Sequence, residues 1–170
     1  QIVLQTAHPT TLTVKRVMLS PATTSWDSTP IWEGECVFGN WQNGFTIDPE
    51  NFSTAMEGDK LEFIFTTDTN DPQTTYWQME PIYNTTDQTL EGNKTEQNDW
   101  GCTTVGKEAT SYRIRLTAKD VNMLKKHGMF TNGFFVNMTQ VNLLRKGISG
   151  NDNQEEKKEE NKDEQVNQWQ

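Results

Sequence analysis

Apolar and polar residues alternate with a period of two in several separate runs of this chain, the mark of half-buried strands. Residues 11–19 alternate as far as Val17, and residues 61–66 form an apolar, β-rich run after a Glu57-Gly58-Asp59 turn. Residues 112–116 alternate strictly, and residues 134–143 close the pattern with one further strand-like run. Two short helices are predicted between the strands. Thr117-Ala118-Lys119-Asp120 reads as a capping box, with Val121 and Leu124 on one face and Gly128 as the stop. Asp48-Pro49 sets a cap and a first-turn proline for a second helix ending near Gly58. Lys125, Lys126 and His127 fill the last turn of the first helix, so His127 reads as a helix C-terminal charge and not as a catalytic base.

The pattern divides the chain unevenly. Residues 1–147 read as one β-sandwich module, in which 1–24 supply either an edge strand or the remnant of a preceding module. The run from Leu4 to Leu19 faintly echoes the one from Phe130 to Leu144, which fits either origin. Residues 148–170 read as an acidic, disordered linker or tail. Between 151 and 170 lie seven acids and three lysines, with almost no apolar residue before Val166 and Trp169. Such a segment cannot bury enough surface to offset its ordering entropy. The chain opens at Gln1 on a strand-like run without initiator Met or leader, as a mature or excised fragment would.

Charge narrows the partners. A net charge of −9 argues against nucleic acid, which calls for basic patches, and disfavours anionic polysaccharides. No segment approaches the apolar length of a membrane span. A neutral partner remains.

Six tryptophans then change the picture, because four stand in polar surroundings: Ile31-Trp32-Glu33-Gly34, Gly39-Asn40-Trp41-Gln42-Asn43-Gly44, Tyr76-Trp77-Gln78 and Asn98-Asp99-Trp100-Gly101. Flat aromatic faces beside amides and carboxylates suit a neutral sugar: the ring stacks on the C–H face of a pyranose while polar groups bind its hydroxyls. A tryptophan can equally be a core residue whose N–H needs a polar partner. Trp41 and Trp100, in turn- and loop-like segments, are the leading exposed platforms. Trp32 is expected to face outward beside Gly34, with Ile31 in the core. Along residues 75–80, period-2 geometry puts Trp77 and Met79 on one face and Tyr76, Gln78 and Glu80 on the other. The pattern leaves open which of these faces is the core. Trp26 sits in a Ser/Thr-rich, linker-like stretch, and Trp169 belongs to the tail.

Catalytic signatures are sparse. The chain has no Gly-x-Ser-x-Gly, no His-Glu-x-x-His and no phosphate-cradling glycine loop. With only His8 and His127, a histidine triad or a metal cluster is disfavoured, and no cofactor is expected. Glycoside hydrolysis needs two carboxylates, for which Glu33 and Glu80 beside their tryptophans are the candidates. Asp68-Thr69-Asn70-Asp71-Pro72 has the oxygens of a calcium loop but lacks its remaining ligands, and reads better as a turn. Cys36 and Cys102 admit either a disulfide or two buried thiols, and Asn-X-Ser/Thr sequons begin at Asn51, Asn84, Asn93 and Asn137.

The order Trp32-Glu33-Gly34, Gly39-Asn40-Trp41, Glu57-Gly58-Asp59-Lys60-Leu61, Tyr76-Trp77-Gln78-Met79, then a capped helix and a Val/Asn/Thr strand resembles a group of β-jelly-roll modules. These accompany glycoside hydrolases, among them family 5 endoglucanases, and surface glycan-binding proteins of gut and rumen Bacteroidetes. The resemblance covers roughly residues 30–144 and departs from the compact pattern between Tyr83 and Lys107, a long polar insertion carrying Trp100. It implies a non-catalytic carbohydrate-binding module for β-glucans.

Together these readings predict an all-β, antiparallel β-sandwich of jelly-roll type with one or two short helices. An immunoglobulin-like sandwich is the alternative, disfavoured by the lack of a Cys…Trp…Cys signal. The predicted ligand is a neutral β-linked glucan of cellulose, mixed-linkage or xyloglucan type, in a secreted or cell-surface setting, next to a glycoside hydrolase catalytic domain. The predicted site is Trp41, Trp100, Trp32, Trp77, Gln78, Glu80, Tyr76 and Asn43. The alternative function is a structural domain whose tryptophans dock a catalytic neighbour.

Overall fold

In the computed structural model, residues 25–147 are described. The strand expected over 11–19 and the acidic tail lie outside that range. Eight strands follow in chain order: β1 (Trp26–Val37), β2 (Asn40–Ile47), β3 (Lys60–Thr67), β4 (Trp77–Tyr83), β5 (Thr103–Val105), β6 (Ser111–Arg115), β7 (Met129–Phe134) and β8 (Val136–Lys146). Helix α1 (Ala118–His127) and two short 3-10 segments, Pro49–Phe52 and Glu91–Glu96, stand between them.

The strands form two four-stranded sheets in the orders β1-β8-β3-β6 and β2-β7-β4-β5. All pairings are antiparallel, and successive strands β1 to β4 fall alternately in one sheet and the other. That order of two interleaved four-stranded sheets is a jelly roll. The predicted fold class is therefore the observed one.

Alternation explains how the sheets close on each other. Leu61, Phe63 and Phe65 of β3 point inward against Leu143, Val141 and Met138 of β8. From the other sheet Phe45, Ile47, Trp77, Met79 and Tyr83 meet them. Burying this many aromatic and aliphatic side chains, at ~1.5–3 kcal/mol each, is the main force holding the sandwich.

Helix α1 carries the predicted capping box, in which the Thr117 side chain accepts from Asp120 N while the Asp120 side chain accepts from Thr117 N. Asp120 is fully buried, and its two oxygens also accept from Tyr83 OH at 2.7 Å, Glu91 N at 2.7 Å and Gly92 N at 3.0 Å. One carboxylate thus ties the helix start, β4 and the 3-10 segment together. Gly92 is required there, since a Cβ would lie 1.9 Å from the Arg115 carbonyl oxygen.

Several local expectations are corrected. The run at 134–143 is not one strand: Phe135 takes φ 50, and the chain passes there from β7 in one sheet to β8 in the other. The helix expected from Asp48 to Gly58 is only the four-residue Pro49–Phe52 segment, held by the buried Phe52. Trp26 begins β1 and is not in a linker; Lys60 Nζ lies 4.2 Å from its ring centroid. Trp32 does not stand free beside Gly34. Pairing shifts between Pro30 and Trp32, and the ring stacks on Phe45 at 4.0 Å, sealing the core. Cys36 and Cys102 are both free thiols. The sequon residue Asn93 is fully buried, its side chain joined to Thr103 and Tyr112. The Asp68–Asp71 segment is a turn, with Asp68 Oδ1 accepting from Asn70 N and Asp71 Oδ1 from Gln73 N, both at 2.9 Å.

Candidate functional site

Strand β4 answers the question of facing. Trp77, Met79 and Tyr83 point into the core, so Gln78, Glu80 and Ile82 stand on the outer face of the β2-β7-β4-β5 sheet. Trp77 is only 6% exposed, and its Nε1 donates to the Asp68 carbonyl at 2.7 Å. Across the outer face, Gln78 is flanked by Phe134 of β7 and Thr104 of β5, and Glu80 by Asn132 of β7. Gln78 Nε2 donates to Thr104 Oγ1 at 3.1 Å, which leaves its carbonyl oxygen available as an acceptor. The result is a floor of amide, carboxyl and aromatic groups.

Trp41 borders this floor from β2. Its backbone has φ 59, within a stretch where β2–β7 pairing is interrupted between Asn40 and Gly44. Gln42 N and Asn43 N both donate to the Phe38 carbonyl, and Asn43 Nδ2 donates to the Val37 carbonyl at 2.9 Å. This turn lifts Trp41 off the regular strand path, with its ring centroid 6.5 Å from that of Phe134. Gly44 permits close approach beside it: a Cβ there would come within 2.6 Å of the Phe130 ring and 2.7 Å of the Thr131 carbonyl.

Trp100 borders the floor from the insertion. Asn98 Oδ1 accepts from Trp100 N and from Cys102 N, both at 3.0 Å. Gly101 turns the corner at φ 82, and Gln97 bridges to Thr103 where β5 begins. The loop therefore hangs from the sheet by backbone bonds while its indole, 84% exposed, projects into solvent.

Between the two tryptophans lies a cleft of about 370 Å³ lined by Trp41, Gln78, Glu80, Asn98, Trp100 and Cys102. Burial pushes the Glu80 carboxyl above its usual range, and the nearby Asp87 charge adds to the shift. Burial likewise raises the Cys102 thiol, with the Glu80 charge contributing. A nucleophilic thiolate is thereby disfavoured at the cleft.

The predicted residues thus separate. Trp41, Trp100, Gln78 and Glu80 share one cleft. Tyr76, 47% exposed, lies next to it, stacked on Phe134 at 4.7 Å with an interplanar angle of 13°. Trp32 and Trp77 pack on the core, and the Asn43 amide is committed to its turn. Glu33 is exposed on β1 of the opposite sheet, so it and Glu80 stand on different sheets. Asn98, which lines the cleft, and Phe134, Asn132 and Thr104, which flank Gln78 and Glu80, did not stand out in the sequence. In β7 the inward positions are Met129, Thr131 and Gly133, while Phe130, Asn132 and Phe134 face outward. Apolar character therefore marks no single face. For Asn98, the usable signal was local: an Asn two residues before an exposed position and a Gly is a turn former.

By sequence, the chain matches no protein-family model and no curated protein. No helix among the described residues is long and apolar enough to cross a membrane. By structure, the chain is similar to SGBP-B of the Bacteroides ovatus mixed-linkage glucan utilization locus, solved in complex with a mixed-linkage heptasaccharide. The TM-score is 0.51 with 16% identity, over 68% of this chain and 30% of that one. The chain therefore spans less than a third of that protein's length, and at this identity the likeness is one of fold.

Proposed function

We propose that this chain is a non-catalytic carbohydrate-binding module for a neutral β-linked glucan of cellulose, mixed-linkage or xyloglucan type. The observation that carries the reading is the pair Trp41 and Trp100 bordering one cleft whose floor offers the Gln78 amide and the Glu80 carboxyl. Each indole stacks on the C–H face of a sugar, gaining dispersion and removing apolar surface from water. Gln78 and Glu80 exchange hydrogen bonds with hydroxyls, the amide donating and accepting and the carboxyl oxygens accepting. Tyr76 on Phe134 continues the aromatic surface past the cleft. The net charge of −9 selects against anionic polysaccharides. The likeness in fold to SGBP-B, which was solved with a mixed-linkage heptasaccharide, supports the ligand class. The module works in a secreted or cell-surface setting, tethered to a glycoside hydrolase catalytic domain.

Affinity electrophoresis against mixed-linkage β-glucan, xyloglucan, xylan and mannan tests this reading. Retardation by a β-glucan, with no release of reducing sugar, is the expected result. Unaltered migration on every neutral glucan overturns it. The second reading, in which the exposed Trp100 docks a neighbouring catalytic domain, would then be tested by binding to that domain.

A further inference from the structure

The insertion between β4 and β5 carries the most exposed tryptophan among the described residues: Trp100 is 84% exposed, so little packing restrains its ring. A side chain so free ordinarily loses rotamer entropy when it grips a ligand, and that loss lowers affinity. The loop beneath it is, however, tightly bonded. Asn98 Oδ1 accepts from both Trp100 N and Cys102 N at 3.0 Å, Gly101 N donates to the Asn98 carbonyl at 3.0 Å, and Asn98 N donates to the Cys102 carbonyl at 3.0 Å. One side-chain oxygen therefore fixes the backbone on both sides of Gly101. The loop also sits close to the cleft floor. A Cβ on Gly101 would lie 2.9 Å from Thr89 Cγ2 and 3.5 Å from Glu80 Oε1.

We propose that Asn98 is a positioning residue for glucan binding: its side-chain oxygen holds the Trp100 backbone so that the indole stands over the cleft before ligand arrives. The inference rests on the carbohydrate-binding reading and adds to it the residue that orders the outer wall of the site. The acceptor Oδ1 is the atom that matters, because both bonds to the loop end on it. Aspartate supplies the same acceptor and should substitute for asparagine; alanine cannot.

The test uses Asn98→Ala, Asn98→Asp, Trp100→Ala and the Asn98→Ala/Trp100→Ala double variant, titrated calorimetrically with a mixed-linkage β-glucan heptasaccharide. Asn98→Ala should weaken binding roughly three- to tenfold, the scale of ordering one side chain, and Asn98→Asp should bind within about twofold of the parent. In the Trp100→Ala background, Asn98→Ala should cost nothing further. A ligand-free measurement runs alongside: the Trp100 indole N–H heteronuclear NOE should fall in Asn98→Ala and be retained in Asn98→Asp. The proposal is overturned if Asn98→Ala binds as the parent does while Trp100→Ala is impaired. It is equally overturned if Asn98→Asp is as weak as the alanine variant, or if the two losses add. Should the parent bind no β-glucan at all, the carbohydrate reading itself fails, and the indole NOE alone decides whether Asn98 orders the ring.

Discussion

Tyr83 donates its hydroxyl hydrogen to Asp120 at 2.7 Å, joining the buried end of β4 to the first turn of α1. Glu91 N, Gly92 N, Thr117 N and Thr117 Oγ1 donate to the same carboxylate. The 3-10 segment that leads into the Trp100 loop is therefore anchored by a side chain on the helix. Asp120→Ala, which leaves these donors buried and unpaired, should lower unfolding stability by ~3–5 kcal/mol. Tyr83→Phe removes one of the bonds and should cost only ~1–2 kcal/mol. Urea denaturation checks both, and similar losses for the two variants would refute the central role of Asp120.

Two tryptophans should behave as ligand platforms and two as core. Trp41→Ala and Trp100→Ala should each weaken β-glucan binding by tenfold or more while leaving the melting transition nearly intact, since a stacked ring is worth ~1–3 kcal/mol by analogy with stacking on bases. Trp77→Ala should instead destabilise by ~3–5 kcal/mol, through its cavity and the orphaned Asp68 carbonyl. Trp32→Ala should also lower stability, because its ring stacks on Phe45. Normal binding by both Trp41→Ala and Trp100→Ala would show the site to be elsewhere.

Glu80 supplies a pH test. Its carboxyl is raised in the folded protein, above the ordinary value of 4.5, first by burial and then by Asp87. A raised carboxyl contributes stability below the unfolded value and loses that contribution as pH rises through the folded one. Glu80→Gln, neutral throughout, should therefore melt higher than the parent at neutral pH. The advantage should shrink as pH falls toward 4.5. Thermal melts across this window decide it, and an advantage that grows on acidification would contradict the assigned shift.

The thiols give a simpler test. Cys36 lies in β1 of one sheet and Cys102 beside β5 of the other, and both are free. Burial raises both thiols, which slows thiolate chemistry. Ellman's reagent should react slowly with folded protein and quickly after denaturation, and dithiothreitol should leave the melting temperature unchanged. A melt that drops on reduction would reveal a disulfide.

The periodicity of the chain, by itself, determined the class of fold and much of the helix. Strands such as β3 and β6 alternate apolar and polar residues because one face must be buried, and the Thr117–Asp120 capping box is complete within four residues. Charge and the polar surroundings of four tryptophans likewise suggested the ligand class that the proposed function adopts. Facing and assembly belonged to tertiary structure. Whether Trp77 or Gln78 pointed outward depended on which side of β4 met the other sheet, and a period of two is symmetric between those choices. The turn from β7 into β8 at Phe135 requires a positive φ on a bulky residue, which no local preference announces. Trp41 and Trp100, 59 residues apart, meet across one cleft only because β2, β7, β4 and β5 lie side by side in one sheet. Long-range strand pairing brought them together, and pairing of that kind leaves no mark on the residues between.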